Sequence, residues 1–378
     1  MSRLSFASWL LLSTAAYLGV ALAADERVLA QGKAGDSKEF NVVTADGVKI
    51  RGVMYEAAKK NLGTVIMLHP IGEGKNSKAK EWKELAETLS QAGCAVAMFD
   101  FRGHGDSTTI DDSDTFWKIN ANRSYVKPKV KDEIDVKDYI AQGAYMPVLV
   151  NDIAAVKAYL DRKHDAKECN TANTIVIGAE GGGTLGAIWI NSEWYRHKFT
   201  PPAMLGAKIV VDKRPEGNDI VAAVFLSLSP QISPKKAVTL SSVLGVPCKT
   251  HGMAAAFYYG EEDSKGGEFA KSLETKLTGK PVGKATGKQV FIGATKVPGT
   301  KLSGIKLLTK GTKTDQSIVE YLEAVLKDRS NESIERDYQG AHFIWKNPAN
   351  PNLVPIPARK KNEKNLNFDT YDRFIPQN

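Results

Sequence analysis

Hydrophobic positions change period along this chain. Phe40-Asn41-Val42-Val43 and Val48-Lys49-Ile50-Arg51-Gly52-Val53 alternate apolar with polar residues around Asp46-Gly47, which predicts a β-hairpin closed by a tight turn. Beyond it, short apolar runs at Thr64 to Leu68, Ala95 to Phe99, Thr174 to Ile177, Val221 to Leu228, Ala254 to Tyr259 and Gln289 to Ile292 read as strands. Segments of helical spacing separate them: Lys78 to Gln91, Val148 to Arg162, Gly183 to Arg196, Glu268 to Leu277 and Gln316 to Lys327. Strands this short and this apolar suit a parallel sheet buried on both faces, with right-handed helical crossovers. The fold class expected is α/β, a mostly parallel twisted sheet with helices on both faces and an N-terminal hairpin.

Three stretches break the alternation. Ile110 to Tyr145 is charged and aperiodic and falls where a strand gives way to a helix, so it reads as a lid-type insertion, about 110–145, over one end of the sheet. A second insertion spans Pro201 to Asn218. The segment 347–378, with Pro348, Pro351, Pro355, Pro357 and Pro376, reads as an extended surface tail behind a single domain over 24–346. At the other end, Arg3 precedes an apolar run from Leu4 to Val20 and the small-x-small site Ala21-Leu22-Ala23. Ser5, Ser8, Ser13, Thr14 and Gly19 dilute that run, so residues 1–23 read as a secretory signal peptide rather than an uncleaved anchor, and the chain is expected to be exported. An odd number of cysteines in an exported chain leaves at least one thiol free; Cys94 reads as a small core residue, while Cys169 and Cys248 lie in polar loops where they could pair.

In an open α/β sheet the chemistry gathers at the carboxyl ends of the strands. Four ends carry it here: Leu68-His69-Pro70-Ile71-Gly72, Asp100-Phe101-Arg102-Gly103-His104-Gly105-Asp106-Ser107, Gly178-Ala179-Glu180-Gly181-Gly182 and Tyr259-Gly260-Glu261-Glu262-Asp263. Taken in order, they resemble the α/β-hydrolase fold superfamily, nearest to its dienelactone hydrolase and lysophospholipase-like branch, over roughly Glu39 to Arg329. The resemblance implies a nucleophile on a sharp strand-to-helix turn, an acid after a later strand, and a His beyond the last strand. Gly178 and Gly182 keep the elbow, yet Glu180 stands where Ser is usual. Asp263 fits the acid, but Ser303 occupies the His position, and a neutral hydroxyl takes no proton near pH 7. The implied oxyanion amides are those of Gly181 and Ile71, and Glu180, at the same helix N-terminus, is expected to fill that hole itself. His69 and His104 read as loop braces, and His342 as the one downstream His, beyond the last helix.

A triad with two of three positions altered implies a pseudo-hydrolase with a binding or scaffold role. The alternatives are an active esterase-like or lactonase-like hydrolase using Glu180, Ser227, Ser229 or Ser303, and, more weakly, a dinucleotide-binding protein. The last rests on Gly181-Gly182-Gly183-Thr184-Leu185-Gly186 with Asp212 downstream. No cofactor is called for, and no C-x-x-C or His-rich spacing suggests a metal, although Glu180, Glu261, Glu262 and Asp263 could gather around a cation or face Lys301. The formal charge of +8 is concentrated: between Lys271 and Lys313 stand ten Lys, no Arg and the single acid Glu274. Without Arg and with few aromatic rings, that flank argues against a specific nucleic-acid surface and reads first as a solvated face, the alternative being an anionic polymer or a membrane surface as partner; for the cleft, the partner is an unknown small molecule or none.

Overall fold

The computed structural model describes residues 35–201, 209–278, 291–327, 329, 338, 341–346, 353–355 and 371–375. The signal-peptide reading of 1–23 therefore lies outside the described residues, as do 279–290 of the Lys-rich flank. No helix among the described residues is long and apolar enough to cross a membrane.

The hairpin is present: β1 (Ser37–Val43) and β2 (Val48–Tyr55) pair antiparallel. Gly47 takes φ +92°, which the turn demands and which a side chain there would oppose. The repeat then runs β3 (Gly63–Leu68), α1 (Lys80–Gln91), β4 (Cys94–Phe99), the short β5 (Thr109–Ile110), α2 (Ser113–Lys118), α3 (Asn120–Tyr125), α4 (Val150–Asp165), β6 (Thr174–Ala179) and α5 (Glu180–Glu193). It continues through β7 (Arg196–Thr200), β8 (Val210–Pro215), β9 (Ile220–Leu226), β10 (Gln231–Ser233), β11 (Lys236–Ala237), α6 (Leu240–Val243), β12 (Ala254–Gly260), α7 (Ser264–Thr278), β13 (Ile292–Val297) and α8 (Thr314–Leu326), then β14 (His342–Lys346) and β15 (Leu353–Pro355). The main sheet has the order β1-β2-β4-β3-β6-β9-β12-β13, with β5 beside β2, and is parallel from β4 to β13.

Burial on both faces explains the unbroken apolar runs. Along β4, Cys94, Val96 and Met98 face a core shared with α1 (Trp82, Leu85, Leu89) and α8 (Ile318, Leu322). Ala95, Ala97 and Phe99 face the opposite core, shared with α4 (Ile153, Val156), α5 (Leu185, Ile188) and α7 (Leu273, Leu277).

Three expectations change. The helix that follows β6 starts at Glu180 and ends at Glu193, because Arg196 opens a second, four-stranded sheet of order β15-β14-β7-β8. The C-terminal segment is not merely an extended surface tail: β15 pairs with β14, and Tyr371 and Phe374 are buried, with the Asn191 side-chain amide donating to the Phe374 carbonyl at 2.8 Å. Cys169 and Cys248 are free, buried thiols, each pushed up to about 12 by burial, and Cys169 donates to the Leu160 carbonyl instead of joining a disulfide.

The insertion at 110–145 is tied to the core by a buried ionic cluster. Arg102 donates to Asp46 in the hairpin turn at 2.7 Å and to Asp152 on α4 at 2.7 Å, all three side chains being 0% exposed. From the insertion, Asn122 donates to Asp46 at 2.9 Å, the Tyr145 hydroxyl donates to Asn122 at 2.9 Å, and the Tyr139 hydroxyl donates to the Arg102 carbonyl. The insertion is thus welded to the turn that follows β4, which β3 separates from the end of β6.

Candidate functional site

Glu180 has φ +49°, a left-handed conformation at the junction of β6 and α5. Such a value is rare outside Gly, Asn and Asp and marks a strained turn. The flanking glycines make it sterically possible: a Cβ on Gly182 would lie 2.0 Å from the His69 carbonyl oxygen, and one on Gly178 would lie 2.4 Å from the Gly183 Cα. Residue 180 thus stands at the apex of a sharp turn from β6 into α5, with a carboxylate there.

That carboxylate does not fill the oxyanion hole. Glu180 Oε1 lies 2.3 Å from where a Cβ on Gly304 would stand, so the side chain leans over the loop that carries Ser303. Among the described residues, none donates a hydrogen bond to it and no cation pairs with it. The expected oxyanion residues do meet, since a Cβ on Gly181 would be 3.8 Å from Ile71 Cβ, and the Ile71 N–H has no protein acceptor. The reason for the redirection is reach: a glutamate in this backbone conformation extends past its own helix N-terminus to the Gly304 loop, where Gly304, at φ +57°, presents no side chain.

Asp263 has a different task from the one implied. Its carboxylate accepts the Gly266 N–H at 2.9 Å and its carbonyl accepts the Gly267 N–H at 2.8 Å, which makes it the N-cap of α7. Ser303 is exposed, and no hydrogen bond joins it to Asp263. The two loops nonetheless touch, because the Glu262 N–H donates to the Thr300 carbonyl at 2.9 Å and a Cβ on Gly260 would lie 2.7 Å from the Leu302 carbonyl oxygen. The loops of Glu180, Asp263 and Ser303 thus lie at one end of the sheet, and among the described residues no hydrogen bond links the three side chains.

The histidines are braces. The His69 Nε2 accepts the Phe101 N–H and its Nδ1 donates to the Pro70 carbonyl; the His104 Nε2 accepts the Gly72 N–H and its Nδ1 donates to the Arg102 carbonyl. The loops after β3 and β4 are cross-tied, and the tie ends one residue from Ile71. Burial first, and then the nearby His104, push His69 down to about 3, and burial lowers His104 as well, so both rings serve as neutral imidazoles. His342 sits on β14 beside Phe199 of β7, past the far end of α5. Glu180 is the first of the helix's fourteen residues, so that end lies roughly 20 Å from it, and His342 supplies no base.

Glu180, Glu261, Glu262 and Asp263 could have gathered around a cation, and they form no such group. Glu261 is exposed and bonds Lys296 at 2.6 Å, and no cluster of three metal-ligating side chains occurs among the described residues. Lys306 pairs with Glu81 at 2.6 Å, so acids from outside the Lys-rich flank neutralise two of its described lysines. The dinucleotide fingerprint loses its acid: Asp212 lies on β8 of the second sheet, where its carboxylate accepts the Arg214 N–H. Its glycines have a packing explanation, since a Cβ on Gly186 would press on Leu68 at 2.6 Å.

Ser227 gains weight that its sequence setting did not give it. It follows β9 with φ +48°, and its buried Oγ has no hydrogen-bond partner. Nothing in the residue string signals this, because Gly or Asn would be the usual choice for that backbone. Register places it next to the elbow, Ala179 of β6 being paired with Leu226 of β9.

No family model and no curated protein matches the chain. Among solved structures it is similar to an esterase of Pyrococcus furiosus, at 16% identity and a TM-score of 0.47 over 77% of this chain and 93% of that one. It is also similar to a dienelactone hydrolase of Anabaena variabilis, at 13% identity and a TM-score of 0.43 over 77% and 98% of the two chains. A carboxyl esterase of Bacillus coagulans gives 10% identity and a TM-score of 0.47 over 77% and 99%. Likeness at this level carries nothing about what this chain acts on. A mixed sheet parallel from β4 onward, helices on both faces, and a left-handed residue on the turn from a central strand into its helix together make this the α/β-hydrolase fold.

Proposed function

We propose that this chain is an exported α/β-hydrolase-fold protein that binds at the hydrolase site without performing serine-hydrolase chemistry. The observation that carries the reading is the direction of Glu180. A left-handed elbow residue whose carboxylate rests on Gly304 holds the space where a nucleophile and its base would have to meet. Asp263 capping α7 and the exposed Ser303 remove the proton relay that a hydroxyl nucleophile requires. Export is the reading of Arg3, the run from Leu4 to Val20, and Ala21-Leu22-Ala23.

The test is a fluorophosphonate probe and a panel of short-chain esters, applied to the wild type and to the Glu180→Ser, Ser303→His double variant. Silent wild type with labelling of the double variant is the expected result. A labelled wild type, or ester turnover abolished by Glu180→Gln, would establish an active hydrolase and overturn the reading.

A further inference from the structure

We infer that the elbow site takes an α-amino-carbonyl unit, its ammonium group on the Glu180 carboxylate and its carbonyl or carboxylate oxygen on the Ile71 amide. The inference rests on the non-catalytic reading above and deepens it by naming what is bound. Three hydrogen-bonding groups without protein partners lie on neighbouring strand ends. The Glu180 carboxylate is half-buried and receives neither a hydrogen bond nor a cation, in a chain with 51 Lys and Arg to draw on. The Ile71 N–H has no acceptor, and Gly181 lies against it. The Ser227 Oγ is buried and unpaired. Since β6 and β9 are adjacent and Ala179 is in register with Leu226, residues 180 and 227 leave the sheet side by side, one strand spacing of roughly 4.8 Å apart.

The chemistry of the three groups selects the ligand. A lone carboxylate with a hydroxyl beside it offers acceptors to a group with several donors, which an ammonium supplies. A single acid, with no cluster of three ligating side chains among the described residues, does not make a divalent-cation site. A simple anion meets repulsion from Glu180, and a simple amine leaves the Ile71 N–H unanswered. A primary ammonium one carbon away from a carbonyl answers both ends. The Ser227 hydroxyl, buried and without a partner on the adjacent strand end, lacks the donor that such a group would bring. Ile71 and Leu302, both partly exposed, border the loops of the site and leave an apolar margin for the ligand's side chain.

The unit has two sources, a free amino acid or a peptide N-terminus, and titration calorimetry separates them. The full chain is titrated with L-leucine, with leucyl-glycine and with N-acetyl-leucine, which keeps the carboxylate but lacks the ammonium. Leucine, leucyl-glycine or both are expected to bind, with N-acetyl-leucine weaker by at least about tenfold. Glu180→Gln is expected to cost about tenfold in affinity at unchanged Tm, and Ser227→Ala about threefold to tenfold. Equal binding of N-acetyl-leucine, undiminished binding by Glu180→Gln, or no heat from either amine at about 10 mM overturns the inference. Failure here with a wild type silent towards esters leaves the non-catalytic reading standing; a labelled wild type removes that reading, whatever the calorimetry gives.

Discussion

Around Arg102, after β4, and around Glu180, after β6, the same fold places charged side chains at strand ends one strand apart, with β3 between them, and it treats them in opposite ways. Arg102 is fully buried, and its guanidinium donates to Asp46, Asp152 and Tyr145, while Asn122 and Thr44 take up the remaining capacity of Asp46. Glu180 is half-exposed, held in a strained backbone, and paired with nothing. A polar group buried for architecture must be satisfied by the protein, because water cannot reach it. A polar group kept for a ligand is left open. Pairing therefore separates scaffold from site more sharply than burial or charge does.

The comparison breaks most visibly at Arg102. Arg102→Met leaves Asp46 and Asp152 buried without their counter-charge, and a loss of about 3–5 kcal/mol in unfolding free energy is expected by denaturant titration. Removing the Glu180 charge has no such consequence, because among the described residues it leaves no buried partner without a counter-charge. If Arg102→Met and Glu180→Gln shifted stability by similar amounts, the distinction between a satisfied and an open cluster would fail.

Acid sharpens the same contrast. Burial pushes Asp152 up to about 6 despite its bonds to Arg102, from a usual value near 3.8. The folded state therefore takes up this proton before the unfolded chain does, so its contribution to stability grows as pH falls from about 7 through 6 towards 4. His69 acts the other way: held down at about 3 against a usual 6.5, it stays neutral while the unfolded chain becomes charged, and stability is lost as pH falls below about 6.5. The wild type carries both terms, whereas Asp152→Asn carries only the second. Its stability is expected to decline more steeply between pH 7 and pH 5, by on the order of 1 kcal/mol relative to wild type. Parallel pH profiles from urea titrations would show that Asp152 does not exchange a proton in this window.

Much of this was legible in the residue string, and what was not has physical reasons. The elbow could be read because Gly178 and Gly182 are dictated by local sterics, contacts of 2.4 and 2.0 Å being forbidden to any other residue. The strand ends could be read because apolar runs buried on two faces stop where polar chemistry starts. The second sheet could not, since His342–Lys346 pairs with Arg196–Thr200 across a sequence separation that no periodicity encodes. Nor could the roles of Tyr371 and Phe374, two aromatic residues in a Pro-rich polar segment that are nevertheless buried. Asp263 matched a pattern of spacing, but the same spacing is that of a helix N-cap, and only the direction of its carboxylate distinguishes the two tasks. The direction of Glu180 could not be read: helix-dipole reasoning favoured the amides of its own helix, and side-chain reach took it to Gly304.

The smallest effect bears on strain at the elbow and requires a comparison between two variants rather than with the wild type. Glu180→Ala and Glu180→Gly both delete the carboxylate, so helix-dipole and ligand contributions cancel between them. In an ordinary helical position Ala is more stable than Gly by about 0.5–1 kcal/mol, because Gly loses more chain entropy on folding. At φ +49° a Cβ costs roughly 1–2 kcal/mol. The second number exceeds the first, so Glu180→Gly is expected to be the more stable of the pair by about 0.5–1 kcal/mol, reversing the usual order. Glu87, exposed in α1, supplies the control, and there Ala should win. The same order at both positions would mean that the elbow relaxes when the carboxylate is gone, and that the strain belongs to the contact between Glu180 and Gly304 rather than to the turn from β6 into α5.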